Sequence, residues 1–120
     1  MLDAPRWLLI GNSRWHWAER TAGGSLRGWD GAPDFMDGEV SSPPLAWAAV
    51  GPVPSSPRLP MDRRVSLADV PLAGCPPWLG VDRALAGWEA WRTLKLGVLV
   101  VDAGTVLSLT LVDGGGTFRG

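Results

Sequence analysis

Two short polar turns, one near each end of the chain, hold the residue types best suited to chemistry. The first is Gly11-Asn12-Ser13-Arg14, between the apolar runs Trp7-Leu8-Leu9-Ile10 and Trp15-His16-Trp17-Ala18. The second is Asp102-Ala103-Gly104-Thr105, after Val98-Leu99-Val100-Val101 and before Val106-Leu107-Ser108-Leu109-Thr110-Leu111-Val112. Each reads as strand, tight turn with Gly and a hydroxyl residue, then strand. Aligning Gly11 with Gly104 sets Leu9 against Asp102, Asn12 against Thr105 and Arg14 against Leu107. Glycine lets the backbone come close to a ligand, turn N–H groups converge, and a hydroxyl adds a donor, which suits a phosphate group. Two such hairpins could grip a nucleotide from both sides, and that is phosphoryl chemistry. Taken singly, each candidate also has a plain structural reading. Gly11 to Arg14 is an ordinary hairpin turn, Asp102 a turn former, and Asp82 an acid at a helix N-terminus.

The elements that must position these residues follow from pattern. Residues 7–18 read as a hairpin of buried strands, and 19–44, rich in Gly and Pro, as short strands and loops. Leu45 to Val50 reads as a strand that the prolines 52, 54 and 57 stop. Val65 to Val70 reads as a further strand. After Gly80, Val81, Leu85, Trp88 and Trp91 or Arg92 recur at helical spacing, with Asp82 in the first turn and Gly97 as the stop. Strands are expected at 98–101 and 106–112, then a turn at Asp113-Gly114-Gly115-Gly116, then the start of a third strand. A sheet ending there would leave an open edge, so the chain reads as incomplete.

Composition narrows the class. A chain of 120 residues is one small domain or slightly more, and its net charge of −1 gives no basic footprint for nucleic acid. The single cysteine, Cys75, excludes an internal disulfide, reads as inert, and points to a reducing cytoplasm. One histidine and one cysteine make a zinc site a poor fit. His16, between two tryptophans, reads as a half-buried structural residue. The eight tryptophans form no spaced basic–aromatic ladder for single strands, and Trp88 and Trp91 read as core or subunit contacts. Asp30, Asp34, Asp37 and Glu39 do not match a calcium loop. No signal peptide is recognisable, and no run approaches the roughly 18 apolar residues of a membrane helix.

Three blocks in order carry a family resemblance: Ile10-Gly11-Asn12-Ser13-Arg14, Leu79-Gly80-Val81-Asp82-Arg83, and Asp102-Ala103-Gly104-Thr105 with Phe118-Arg119-Gly120. Together they resemble type III pantothenate kinases, particularly cyanobacterial forms. The resemblance implies an α/β fold of the acetate and sugar kinase, Hsc70 and actin superfamily. That is an RNase H-like (actin-like ATPase) kinase fold, a mixed sheet with flanking helices, truncated here. Residues 1–95 would be the first RNase H-like half and 96–120 the start of the second, a duplication that accounts for the repeated hairpin. Family members are about twice as long, and most of the second half is missing.

The implied activity is ATP-dependent phosphorylation of pantothenate to 4′-phosphopantothenate, the first step toward coenzyme A. By the same resemblance, Gly11, Asn12, Ser13 and Arg14 would form the first phosphate loop for ATP, and Thr105 would also touch ATP. Gly80, Val81, Asp82 and Arg83 would contact pantothenate, with Asp82 as general base and Arg83 as a charged partner. Asp102 would hold a monovalent cation, potassium or ammonium, and Mg2+ would accompany the ATP. A cytoplasmic homodimer is implied, with neither nucleic acid nor membrane as partner. Two positions depart from the family: Leu9 stands where Asp is usual, and Ala73 where Tyr is usual. Those departures sustain an alternative, a non-catalytic or regulatory homologue of the same fold, and the isolated chain is expected to have little kinase activity.

Overall fold

The computed structural model describes residues 4–35, 43–104 and 106–120. Backbone contacts divide the chain into two compact units, Met1–Val65 and Ser66–Gly120. The first is a four-stranded mixed sheet, ordered β3-β2-β1-β4. Its strands are β1 (Arg6–Ile10), β2 (Trp15–Arg20), β3 (Leu26–Gly31) and β4 (Ala46–Ala49). β1 pairs antiparallel with β2, which pairs antiparallel with β3, while β4 runs parallel to β1. The hairpin and the strand at 45–50 therefore form where the pattern predicts them.

Alternation explains which face is buried. Leu8 and Ile10 on β1, Trp15 on β2 and Trp47 on β4 meet Leu59 in one core, against which Trp17, Phe35 and Ala49 pack. Trp15 lies edge-on to Phe35 at 5.1 Å, and Trp17 stacks on Trp29. The Trp47 indole N–H donates to the Pro60 carbonyl at 2.8 Å, so its polar handle is satisfied inside the core. The opposite face carries Trp7 and Leu9, His16 and Ala18, and Asp30. Its edge strand β3 carries the charges of Arg27 and Asp30, which discourages further pairing.

The second unit contains α1 (Val81–Leu94) and the antiparallel hairpin of β5 (Val98–Ala103) and β6 (Leu107–Val112). The helix buries Val81, Ala84 and Gly87. A side chain on Gly87 would lie 3.1 Å from a Val112 methyl and 3.3 Å from that of Thr110, so a small residue lets the helix approach β6. The buried stripe thus runs through small residues rather than through Trp88. Trp91 instead donates its indole N–H to the Gly114 carbonyl at 3.1 Å, bracing the turn after β6. Thr117 and Phe118 make isolated bridges to Ala73 and Val112, the beginning of the expected third strand.

Two expectations are corrected. Val65 to Val70 is not a strand: Leu67–Asp69 forms a 3-10 turn with a capping box, the Asp69 carboxylate accepting from the Ser66 N–H and hydroxyl. Reciprocal capping outweighs the β-propensity of two terminal valines. The helix ends at Leu94, not Gly97, because Lys95 adopts the left-handed conformation (φ 61°) and its N–H returns to the Trp91 carbonyl. Among the described residues α1 is the one α-helix, and no helix is long and apolar enough to cross a membrane.

Asp113 organises the turn after β6. Its carboxylate accepts from the Gly115 and Thr117 N–H groups at 3.0 Å each and from the Arg119 guanidinium at 2.7 Å. The Thr117 amide, then Arg119, hold its pKa below the usual carboxylate range. A depressed carboxylate stabilises the fold above its unfolded pKa, about 4, and the contribution disappears as pH falls through the folded value. In urea titrations, Asp113→Asn should therefore be less stable than the parent at neutral pH. The difference should shrink below about pH 4 and vanish in stronger acid; a constant gap would contradict this account.

Candidate functional site

The turn between β1 and β2 is closed by the Gly11 N–H donating to the Arg14 carbonyl at 2.9 Å, with Ile10 opposite Trp15. Asn12, Ser13 and Arg14 are exposed, and among the described residues their N–H groups donate to no backbone carbonyl. The turn is fixed from behind by β4. The N–H groups of Val50 and Gly51 both donate to the Ile10 carbonyl, at 2.9 and 3.2 Å. A side chain on Gly51 would overlap the Gly11 carbonyl oxygen and stand 2.9 Å from the Asn12 Cα. Gly51 was not singled out in the sequence, where it looks like punctuation before Pro52. Gly51→Ala should push the 50–51 backbone off the turn and cost about 1–3 kcal/mol of stability. Amide shifts of Gly11 and Asn12 should report it, and an unperturbed turn would contradict the close approach.

The second turn is one residue shorter. Ala103 pairs with Leu107, and the Gly104 N–H reaches the Val106 carbonyl at 3.4 Å. Paired positions therefore equate Leu9 with Asp102, as the alignment on glycine does, but set Leu107 against Trp15 rather than Arg14. Asp102 is exposed at the end of β5, opposite Ser108. Thr105 lies outside the described residues. The two turns belong to different compact units.

Gly80 is the N-cap of α1, in extended conformation, and its carbonyl accepts the Ala84 N–H. Val81 is buried. Asp82 follows in the first turn, part-buried, with one carboxylate oxygen accepting the Arg83 N–H at 2.8 Å. Helix and carboxylate thus have the arrangement expected from the sequence, with partial positive charge beside the acid. Arg83 is committed differently. Its guanidinium donates to the Leu109 carbonyl at 2.6 Å and the Thr110 hydroxyl at 3.0 Å, and lies 6.0 Å from the Phe118 ring centre. Thr110 is 2% exposed, so its hydroxyl depends on this donor. Arg83→Ala should lower stability by about 1–3 kcal/mol, the cost of orphaning buried polar groups. Arg83→Lys should recover only part, because an ammonium cannot reproduce the fork. Unchanged denaturation midpoints would show that Arg83 has no structural share.

Ala73 exchanges backbone bonds with the 116–118 segment, its N–H reaching the Gly116 carbonyl and its carbonyl accepting the Phe118 N–H. The Cys75 thiol is part-buried, donates to the Leu72 carbonyl, and has its pKa raised by burial, which keeps it protonated and unreactive. Among the described residues no three His, Cys, Asp or Glu side chains cluster to hold a metal.

The chain is 37% identical to the type III pantothenate kinase of Synechococcus elongatus, an alignment covering 94% of this chain and 53% of that protein. It is 38% identical to that of Thermosynechococcus vestitus, over 94% of this chain and 46% of the relative. With that of Gloeobacter violaceus it shares 39% identity over 92% of this chain and 50% of the relative. No protein-family model matches the chain. The chain is thus a homologue of cyanobacterial type III pantothenate kinases, and it spans about half the length of the curated relatives it matches.

Proposed function

We propose that this chain carries the phosphate turn and substrate helix of a type III pantothenate kinase. The activity would be transfer of the γ-phosphoryl group of ATP to the 4′-hydroxyl of pantothenate, opening coenzyme A synthesis. The observation that carries the reading is the Gly80-capped start of α1 with Asp82 in its first turn, in a chain homologous to these kinases. In that reading Asp82 accepts the proton of the attacking hydroxyl, the hydroxyl oxygen bonds to the γ-phosphorus, and ADP leaves. Phosphoryl transfer has a loose transition state, so positioning and charge neutralisation supply most of the acceleration.

Gly11, Asn12, Ser13 and Arg14 would bind phosphate through backbone N–H groups and the Arg14 charge, with Thr105 touching ATP from the other hairpin. Gly80 and Val81 would shape the pantothenate site. Arg83, tied to β6, would present only what remains of its guanidinium to the substrate. Asp102 and Ser108 offer oxygen donors of the kind a hard cation takes, so Asp102 would hold potassium or ammonium, which would offset phosphate charge, and Mg2+ would travel with ATP. The further parts of the proposal are an RNase H-like fold and residues 1–95 as the first half. Residues 96–120 would open the second half, a division of ancestry distinct from the compact units. A cytoplasmic homodimer completes it.

The test is growth of a pantothenate-kinase-deficient bacterium on this chain joined to the part of a cyanobacterial relative it lacks. Growth should depend on Asp82, with Asp82→Asn lowering product formation by about 10²–10⁴-fold, the usual worth of a positioned base. Leu9 and Ala73 favour a second reading, a non-catalytic homologue. Absence of growth and of product from the completed chain with Asp82 intact would select it, and product formation indifferent to Asp82 would remove Asp82 as the base.

A further inference from the structure

His16 is not absorbed by the function above, yet its surroundings are unlike those of a packing residue. It stands directly between Leu9 on β1 and Asp30 on β3, all three on the face opposite the tryptophan core. Its Nδ1 lies 2.8 Å from an Asp30 carboxylate oxygen, and the two side chains are 45% and 54% exposed. An exposed pair of this kind contributes only about 0–1 kcal/mol to stability, so folding gives little reason for it. An ionised carboxylate only accepts, so Nδ1 must carry the proton shared with Asp30. That bond aims Nε2 at the phosphate-type turn: it lies 3.2 Å from where a side chain on Gly11 would begin. The absence of that side chain is what leaves Nε2 open at the lip of the turn.

We propose that His16 is a phosphate-binding residue, its imidazolium Nε2–H donating to a phosphate oxygen seated on the Gly11–Arg14 turn, with Asp30 as its positioning residue. Asp30 fixes the ring and balances its charge; the turn N–H groups and Arg14 supply the rest of the anion site. Leu9, where the family resemblance leads one to expect Asp, leaves Asp30 as the carboxylate beside the ring. The inference rests on the reading of this turn as a phosphate loop. The charged group paired with the ring is Asp30 on β3, while β1 presents the apolar Leu9.

Because the chain has a single histidine, its ring C–H signals in proton NMR need no assignment. The 120-residue chain would be titrated with ATP, inorganic triphosphate and adenosine, with phosphorus NMR reporting binding independently. ATP and triphosphate should shift the His16 signals, and adenosine should not. His16→Gln should weaken binding about tenfold, the value of one charge-assisted hydrogen bond. Asp30→Asn should move the His16 ring signals of the free chain and weaken binding less. Binding of triphosphate with the His16 signals unmoved overturns the inference and leaves the kinase reading intact. Failure of both ATP and triphosphate to bind overturns the phosphate-loop reading and the inference with it.

Discussion

The carbonyl of Ile10 is the point on which the first unit depends. It accepts the N–H groups of both Val50 and Gly51, so the parallel strand β4 ends hard against the turn that leaves β1. Parallel pairing demands a long connection, and 35 residues, 11–45, separate β1 from β4. The consequence is local rigidity where it matters. The turn's backbone is held from one side by β4 and from the other by its own Gly11–Arg14 bond, so its remaining N–H groups are presented at little further entropic cost.

The second unit is governed by a different constraint, the close approach of α1 to β6. Gly87 permits the approach, and the residues facing the helix are correspondingly short: Thr110 and Val112 are buried while Leu107, Leu109 and Leu111 point away and are exposed. A sheet face of leucines turned outward and hydroxyls turned inward inverts the usual pattern. Arg83 makes the inversion tolerable by supplying the buried Thr110 hydroxyl with a donor. The same residue that the family resemblance assigns to substrate is therefore the clasp between helix and hairpin, and a substrate would have to compete for that guanidinium.

Sequence pattern made the strong elements legible. The hairpins at 6–20 and 98–112 and the helix from Val81 rest on periodicity and turn chemistry that tertiary contacts reinforce. What stayed hidden depends on contacts between distant positions. Gly51 matters because another backbone touches it, which no local pattern records. The Leu67–Asp69 turn arises because Ser66 and Asp69 satisfy each other's polar groups, a relation across three residues lost inside an apolar-looking stretch. Lys95 ends the helix in a conformation for which the sequence would nominate glycine. For the candidate site, the turn and the helix start were readable, whereas the Arg83 clasp and the His16–Asp30 pair needed the strand register.

The two hairpins, equal at first sight, are equal only on their incoming strands. Leu9 and Asp102 each occupy the position before the last pair, facing His16 and Ser108 respectively. In the second hairpin the carboxylate is on the incoming strand and its neighbour is a hydroxyl. In the first, the incoming strand is apolar and the carboxylate arrives from a third strand, with an imidazole between it and the turn. A carboxylate beside the turn would repel a phosphate, and here the ring of His16 stands between Asp30 and that turn. In the proposed reading, the extra strand β3 would let the first turn handle an anion while the second hairpin presents an acid to a cation.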